Sequence, residues 1–217
     1  MTLSQAARVR QTGAMRILIA GASSALGRAT ADAARAAGHH VIAVGSSAER
    51  LEAVDADERL VCDLTSLPEV TTLAESIGEI DVLVHLVGGW RGGGGLAGQS
   101  DEDWQWLESR VVGTLRNTTR AFADAIGAST AGRVVIISTT GLERPTAGNA
   151  SYVALKAAAE TWLAAVGHGL RSTPATTHAI RVKALVSAEE RAAEPERAFE
   201  GYSDVADVAA EIVGLLG

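Results

Sequence analysis

A tyrosine and a lysine stand four residues apart in the segment NASYVALKAAAE, residues 149 to 160. The segment has the composition of an alanine-rich helix, and side chains at positions i and i+4 of a helix are neighbours on one face. Tyr152 and Lys156 are therefore predicted to lie side by side. A cation beside a phenol lowers the pKa of the phenol, which would suit Tyr152 to general acid/base chemistry near neutral pH. For an isolated pair, an exposed tyrosine beside a solvated lysine is the alternative.

The elements that must position this pair follow from the apolar pattern. Short continuous apolar runs alternate with longer helical patterns, which is typical of a parallel sheet covered by helices on both faces. Strands are predicted at 16–20, 40–45, 59–62, 81–87, 133–138 and 179–186, and helices at 25–37, 48–54, 66–77, 101–128, 150–172 and 204–216. Six steps in this order predict a doubly wound α/β sheet of order 3-2-1-4-5-6, with ligands beyond the carboxyl ends of the strands.

The turn after the first predicted strand reads AGASSALGRA, residues 20 to 29. A glycine at the turn permits a positive φ, and a second glycine lets backbone approach backbone or a pyrophosphate. Free N–H groups at the helix start then attract phosphates. The predicted phosphate site consists of Gly21, Ser23, Ser24, Ala25, Leu26 and Gly27. Because Ala25 replaces the middle glycine of the full pattern, an ordinary turn of small residues is the alternative.

Composition narrows the class of protein. The length of 217 residues suits one well-buried domain, predicted over 15–217, with residues 1–14 as a flexible extension. A net charge of −7 argues against nucleic-acid and anionic membrane partners. No apolar run reaches the roughly 18 residues that span a bilayer. Cys62 is the single cysteine and is predicted to lie inside a strand, so a reducing, cytoplasmic location is expected.

One histidine lies within the fourth predicted strand. His85 is interpreted as a core histidine with satisfied hydrogen bonds, because no partner at metal-ligand spacing accompanies it. No metal site is predicted.

Several landmarks occur in an order that resembles the short-chain dehydrogenase/reductase family. They are the glycines at 21 and 27, CDLT at 62–65, HLVGG at 85–89, RVVIISTT at 133–140 and YVALK at 152–156. The resemblance runs from about residue 15 to the end of the chain. It implies a Rossmann-type fold and hydride transfer between a nicotinamide dinucleotide and a small-molecule carbonyl or alcohol.

The resemblance implies roles for three residues. Tyr152 matches the tyrosine that exchanges a proton with the substrate, and Lys156 matches the lysine that lowers its pKa and holds the nicotinamide ribose. Thr139, thirteen residues before the tyrosine, stands where the family usually has a serine that orients the substrate carbonyl. Threonine keeps the hydroxyl and adds a methyl group that crowds the site.

A fourth catalytic candidate departs from the family. Arg110 stands where relatives carry an asparagine that holds a water linking the lysine to solvent. Pointed inward, its permanent charge would repel Lys156 and further lower the pKa of Tyr152; pointed outward, it would leave the relay broken.

The resemblance also implies the adenosine half of the cofactor site. Asp63 matches the acid that accepts a hydrogen bond from the adenine amino group, and Leu64 is expected to cover the ring. Leu86, Val87 and Gly88 stand where the family has Asn-Ala-Gly beneath the ribose. A buried strand end is the alternative for these three residues.

Cofactor choice depends on the end of the second predicted strand. An acid there would bind the ribose 2′-OH and repel a 2′-phosphate, but Ser46 and Ser47 occupy it. Arg28 and Arg50 are expected within reach of a 2′-phosphate. NADP(H) is therefore favoured over NAD(H).

The loops and the chain end carry further expectations. In the glycine-rich loop at 88–106, Trp90 and Arg91 could cover substrate or cofactor, or the loop could be without function. Trp104 and Trp106 are expected to begin a helix and to pack against a neighbour. Ser187 begins a short charged connection in place of the family's Pro-Gly. The sequence is expected to lack the seventh strand, and a homodimer through helices 101–128 and 150–172 is predicted.

Three functions remain open at this stage. The first is an NADP(H)-dependent carbonyl reductase or alcohol dehydrogenase acting on a fairly apolar substrate. The second is a dinucleotide-binding sensor that has lost catalysis, which Arg110 favours and the Tyr152–Lys156 pair opposes. The third, a non-redox reaction on the same scaffold, has no residue in its favour.

Overall fold

The computed structural model describes residues 13–216, so most of the extension predicted over 1–14 lies outside the described residues. Six strands form its main sheet: β1 (Arg16–Ala20), β2 (His40–Gly45), β3 (Glu58–Val61), β4 (Val82–His85), β5 (Arg133–Thr139) and β6 (Thr176–Val182). All neighbouring strands are parallel, and their order is β3-β2-β1-β4-β5-β6. The predicted doubly wound α/β sheet of order 3-2-1-4-5-6 is confirmed.

Helices cover both faces of this sheet. They are α1 (Ala25–Ala36), α2 (Ala48–Glu52), α3 (Leu67–Ile77), α4 (Asp101–Leu107), α5 (Thr114–Ala128), α6 (Ala150–Gly169), α7 (Ala188–Ala193) and α8 (Val205–Gly214). Within residues 13–216, no helix is both long and apolar enough to cross a bilayer.

The apolar runs of the strands feed two separate cores. In β1, Leu18 packs with α3, α5 and α6 on one face, and Ile17 and Ile19 pack with α1 and α8 on the other. All three side chains are fully buried. Because successive side chains of a strand point to opposite faces, a strand that is buried on both faces must be apolar at every position.

The helix predicted at 101–128 is not continuous. Helix α4 ends at Leu107, a π-helical segment follows at Glu108–Gly113, and α5 begins at Thr114. The hydroxyl of Thr114 donates to the carbonyl of Arg110 across this junction. A π-bulge of this kind turns the side chains on either side of it relative to each other, so residues before and after it do not share the faces that a continuous helix would give them.

The strand predicted at 179–186 is also divided. Strand β6 begins three residues earlier, at Thr176, and ends at Val182. Beyond Lys183 and Ala184, β7 (Leu185–Val186) pairs with β8 (Ser203–Asp204) in a separate two-stranded parallel sheet. Cys62, predicted inside a strand, lies buried one residue beyond β3.

The segment between β7 and β8 forms a strap over the carboxyl edge of the main sheet. Ser187 caps α7 in a capping box with Glu190. Arg191 then donates two hydrogen bonds to the carboxylate of Asp204, at 2.9 and 3.1 Å. The contact of Arg191 with Asp204 fastens α7 to β8, and the strap, residues 187–202, is thereby held against the small sheet.

Candidate active site

A cleft of about 1230 Å³ opens at the carboxyl edge of the main sheet. The ends of β4, β5 and β6, the start of α6 and the strap form its walls. Thr139, Tyr152 and Lys156 all line it. The structure thus brings together three of the four predicted catalytic residues.

The hydroxyl group of Thr139 interacts with that of Tyr152 and lowers the pKa of the tyrosine. Thr139 is the last residue of β5 and is 4% exposed, and Tyr152 lies in the first turn of α6. Lys156 follows one turn later, and its Nζ donates to the carbonyl oxygen of Ile137 at 2.7 Å. The same Nζ lies 5.8 Å from the centre of the tyrosine ring.

Burial dominates the electrostatics of the pair. It lowers the pKa of Lys156 from 10.5 to about 8, although the nearby Glu160 carboxylate opposes the change. Burial also raises the pKa of Tyr152, and the interaction with Thr139 only partly offsets this. The predicted lowering of the tyrosine pKa by Lys156 is therefore wrong in this structure, because the ammonium group is directed at Ile137 and the phenol is desolvated.

His85 has the role of a core histidine. Its Nε2 lies 3.1 Å from Oγ1 of Thr114, and its Nδ1 lies 3.2 Å from Oγ1 of Thr118. Burial and the charge of Lys156 lower its pKa to about 3, so the ring is neutral at physiological pH. Within residues 13–216, no group of three or more His, Cys, Asp or Glu side chains is arranged to hold a metal ion.

The glycine turn has the close backbone approach predicted for a phosphate site. A Cβ on Gly27 would lie 2.5 Å from the carbonyl oxygen of Ala22, and one on Gly21 would lie 3.1 Å from the backbone of Leu86 and Val87. Gly21 also has a φ of +85°, which favours glycine. Ser24 caps α1 by accepting a hydrogen bond from the N–H of Gly27 at 3.0 Å. The start of α1 is thus held against the end of β4.

A second, smaller cavity of about 190 Å³ lies on the other side of this turn. Its lining includes the predicted adenosine-site residues Ser46, Asp63, Leu64, Leu86, Val87 and Gly88. Leu64 is only 6% exposed and belongs to the core. One oxygen of Asp63 accepts hydrogen bonds from the N–H and the hydroxyl of Thr65, which lower the pKa of Asp63.

The cleft and the small cavity form one elongated site. Both are lined by Ser24, Leu86, Val87 and Gly88. Ala25 and Leu26 face the cleft, and Gly21 faces the small cavity. An extended dinucleotide fits this arrangement: its phosphates would lie at the start of α1, its nicotinamide near Tyr152 and its adenosine near Asp63.

Two predicted arginines lie elsewhere than expected. The side chain of Arg110 is exposed and lines the small cavity, so it does not join Thr139, Tyr152 and Lys156 in the cleft. The π-helical segment that carries it accounts for this outward direction. Arg28 donates to the carbonyl of Ser23 and lines a different cavity, beside Glu189. Arg50 is the arginine that reaches Ser46, at 3.2 Å.

Three polar or aromatic side chains position the site without having been predicted to do so. Asn117 donates to the carbonyls of Leu64 and Thr65 and fixes the loop after β3. An asparagine inside a helix is a poor helix former, and this was the available signal. Gln99 joins the glycine-rich loop to the start of α6 by bonding Gly93 and Ser151.

The third of these is Trp106. A Cβ on Gly89 would lie 2.5 Å from its ring, so the indole packs directly on the loop backbone. Trp104, expected to pack against a neighbour, is 41% exposed instead, and Trp90 at the rim of the cleft is 60% exposed. Trp104 and Trp106 are two residues apart on the helix and therefore face different directions. The prediction that both pack against a neighbour is confirmed for Trp106 and wrong for Trp104.

Comparison with known proteins identifies the family. The family model described as short chain dehydrogenase matches residues 15–192. The chain belongs to this family. It is 32% identical over 167 residues to a Streptomyces coelicolor protein named "Putative ketoacyl reductase", covering 73% of this chain and 60% of that protein. It is 28% identical over 161 residues to the 2,3-dihydro-2,3-dihydroxybenzoate dehydrogenase of Bacillus subtilis, covering 69% of this chain and 61% of that protein.

This family member spans about three fifths of the length of these curated relatives. Solved structures share its fold more completely. A short-chain dehydrogenase/reductase from Vibrio parahaemolyticus superposes with a TM-score of 0.75 at 24% identity, covering 91% of each chain. The structure described as ElxO with NADP bound gives a TM-score of 0.81 at 15% identity and covers 94% of this chain and 92% of its own.

Proposed function

We propose that the protein is an NADP(H)-dependent oxidoreductase that interconverts a small-molecule carbonyl and its alcohol. The observation that carries the proposal is the convergence of Thr139, Tyr152 and Lys156 in a cleft continuous with a glycine-lined dinucleotide cradle. The alternative of an exposed tyrosine beside a solvated lysine does not account for a pair that lies inside a cleft.

The three side chains divide the proton chemistry between them. The bound nicotinamide would supply or accept the hydride. In the reducing direction the Thr139 hydroxyl orients the substrate carbonyl, and Tyr152 donates a proton to its oxygen. Lys156, with a pKa of about 8, is mostly protonated at neutral pH. Its ammonium group, now directed at the carbonyl oxygen of Ile137, would hold the ribose hydroxyls of a bound nicotinamide nucleotide.

The preference for NADP(H) rests on the end of β2. Ser46 is exposed there, and the Arg50 guanidinium lies 3.2 Å from its hydroxyl. A hydroxyl and a guanidinium together suit a 2′-phosphate, and neither repels one. The solved relative described with NADP bound is in keeping with this choice.

The lining of the cleft indicates the kind of substrate. Trp90, Val182, Leu185 and Val205 give it apolar walls, which suit a small to medium and fairly apolar carbonyl compound. The curated relatives named "Putative ketoacyl reductase" and "2,3-dihydro-2,3-dihydroxybenzoate dehydrogenase" are in keeping with an oxidoreductase that acts on a small molecule. The proposal includes a homodimer through α5 and α6 and a cytoplasmic location.

A catalytically impaired dinucleotide sensor is the second candidate. The raised pKa of Tyr152 and the outward direction of Arg110 favour it, because both weaken the proton transfer that turnover requires. The enzyme remains the preferred proposal, because a sensor has no need of an enclosed hydroxyl pair and an adjacent buried lysine.

Cofactor titration followed by a substrate panel tests the proposal. The purified protein is titrated with NADPH and NADH, and oxidation of the bound nucleotide is then followed with ketones, aldehydes and quinones. We expect tighter binding of NADPH and turnover with at least one carbonyl compound. Tight binding without any turnover supports the sensor, and binding of neither nucleotide contradicts both candidates.

Tyr152→Phe identifies the proton donor. The variant loses only the hydroxyl, so turnover should fall by about a thousandfold or more while the dissociation constant for NADPH stays within a few fold. Tyr202→Phe is the matched control, because it removes the other phenol that lines the cleft, and it should retain turnover. Undiminished activity of Tyr152→Phe would reject the mechanism.

A further inference from the structure

Arg110 is the predicted site residue whose position the proposed chemistry does not use. It lies in the π-helical segment between α4 and α5, and its side chain is exposed. The small cavity that it lines also contains Asp63, Leu64 and Gly88. Because Arg110 lines the small cavity and not the cleft that contains Lys156, its function must be sought in the small cavity.

One face of the Arg110 guanidinium is already held in place. Its Cζ lies 4.8 Å from the centre of the Trp106 ring. Trp106 is fixed in turn by the backbone of Gly89 and by Arg91, whose Cζ lies 4.4 Å from the same ring. Arg91 is anchored by an ion pair with Asp103 at 3.0 Å. The Arg110 guanidinium therefore already lies against an aromatic ring before any ligand arrives.

The charge of Arg110 has not been paired off inside the protein. Among residues 13–216, none of the ion pairs within 4.0 Å involves it. It lowers the pKa of Asp63 only through their electrostatic attraction, which is the weakest of the influences on that carboxyl group. A guanidinium that lies over an aromatic ring, takes part in none of these ion pairs and lines a cavity is available to a ligand.

The cavity is of the kind that accepts a planar base. Asp63 offers an acceptor for an exocyclic amino group, and Val87 and Gly88 supply an apolar and backbone floor. Arginine is the charged side chain that stacks best on a planar aromatic ring, because its guanidinium is flat, delocalised and weakly hydrated. Nucleic-acid bases are bound by proteins in this way.

We propose that Arg110 is a cofactor-binding residue, whose guanidinium stacks on the adenine ring of the dinucleotide, and not a member of a proton relay. The inference rests on the proposed function, since it requires a dinucleotide in the site. The resemblance to the family placed Arg110 near Lys156, at the nicotinamide end of the cofactor. The inference places its contact at the adenine end.

Binding of adenosine fragments tests this assignment without any turnover. Isothermal titration calorimetry with adenosine 5′-monophosphate and with adenosine 2′,5′-bisphosphate is carried out on the unaltered protein, Arg110→Gln and Arg110→Lys. The expected result is a loss of affinity of about three- to thirtyfold for both fragments in both variants, because lysine keeps the charge but not the plane. Neither fragment contains a nicotinamide, so a relay role near Lys156 would not change these affinities.

Arg116→Gln is the matched control. Arg116 lies on α5, is exposed, and stacks on Trp162 with its Cζ 5.8 Å from the ring centre, but it does not line the small cavity. It should bind both fragments as the unaltered protein does. Thermal unfolding and size-exclusion chromatography of all variants check that fold and oligomeric state are retained.

The other outcomes are equally clear. Unchanged fragment affinity in Arg110→Gln overturns the inference. Loss confined to the 2′,5′-bisphosphate, or full retention in Arg110→Lys, overturns the stacking contact and indicates a phosphate contact instead. If the unaltered protein binds neither fragment and no dinucleotide, the proposed function itself fails. This result differs from failure of the inference alone, in which the unaltered protein and Arg110→Gln both bind the fragments with the same affinity.

Discussion

At the scale of single residues, Lys156 is a buried cation with few hydrogen-bond partners. It is 8% exposed and its ammonium group donates to one carbonyl oxygen, that of Ile137. Burying a cation with few partners costs free energy, and the lowered pKa expresses that cost. Ribose hydroxyls placed beside Nζ would offset it, so the site is prepared for a ligand at the expense of the fold.

Replacing this lysine should stabilise the folded protein at neutral pH. Lys156 is protonated below pH 10.5 when unfolded but only below about pH 8 when folded, so the penalty is complete below pH 8 and disappears as the pH rises towards 10.5. The shift corresponds to about 3 kcal/mol at most. Lys156→Met should therefore have the higher free energy of unfolding at pH 7 in urea without nucleotide, and the difference should shrink by pH 10.

Lys183→Met is the control for this measurement. Lys183 is exposed and donates to the carbonyl of Glu200, so its removal should give only a small change in the free energy of unfolding. A Lys156→Met protein that is less stable than the parent at both pH values by the same amount would show that the buried charge is not penalised.

The sequence predicted which side chains of the site lie close together, but it did not predict how their surroundings change their pKa values. The i and i+4 relation put Tyr152 beside Lys156, and the resemblance to the family put Thr139 in the same cleft. The raised pKa of Tyr152 was out of reach, because it depends on how much water the folded chain excludes.

At the scale of elements, the start of α1 governs the phosphate site. Gly27 sits where the first turn of the helix touches the backbone of Ala22, and Ser24 caps the same turn. The N–H groups that would meet a pyrophosphate are directed by this contact. The direction of these N–H groups therefore depends on Gly27 having no Cβ.

Gly27→Ala should damage binding and stability together. The added Cβ would lie 2.5 Å from a carbonyl oxygen that cannot rotate away, so the helix start must move. We expect a loss of about 1–3 kcal/mol in the free energy of unfolding, measured in urea, and at least a tenfold rise in the dissociation constant for NADPH. A binding constant equal to that of the parent would contradict the placement of the phosphates.

Gly169→Ala controls for the general effect of adding a methyl group to a helix. No atom lies within 4 Å of the Cβ that it would add, at the end of α6. Alanine is the better helix former, so this variant should be equal to or slightly more stable than the parent, with unchanged NADPH binding.

The bounds of a strand or helix could be predicted from the sequence where the element is fully buried. They could not be predicted where its side chains are exposed or where two helix types fit the same residues. The bounds of β1 and β2 match the apolar runs, because both strands are covered on both faces. The first three residues of β6, Thr-Thr-His, were missed because this strand ends the sheet and its side chains there are partly or fully exposed. The π-helical segment at Glu108–Gly113 was missed because its apolar residues fit a continuous α-helix equally well.

At the scale of the whole molecule, the order of the six strands followed from the alternation of apolar runs and helical patterns. Right-handed crossovers restrict such a chain to few arrangements, and burial of β1, β2 and β4 on both faces places these strands in the middle of the sheet. The division between main sheet and strap could not be predicted in the same way. It involves contacts between segments that share no sequence pattern, such as the pairing of Leu185–Val186 with Ser203–Asp204.

The proposed homodimer can be tested on the outer face of α6. Ala154, Ala158, Thr161 and Ala165 are exposed there at spacings of four, three and four residues, so they form one stripe of small side chains along the helix. A second helix can approach such a stripe closely. An arginine at position 158 would keep the helix, because it is a good helix former, but its length would hold the partner away.

Ala158→Arg is therefore expected to convert the dimer to a monomer in sedimentation velocity experiments, with the thermal unfolding of each subunit little changed. Ala36→Arg is the matched control, because Ala36 is equally exposed but lies on α1, on the other face of the sheet. It should remain dimeric. A parent protein that sediments as a monomer, or an Ala158→Arg protein that sediments as a dimer, would exclude this face of α6 as the interface. Because Tyr152 and Lys156 lie on the inner face of the same helix, the monomer should still bind NADPH, and this separates assembly from the chemistry of the site.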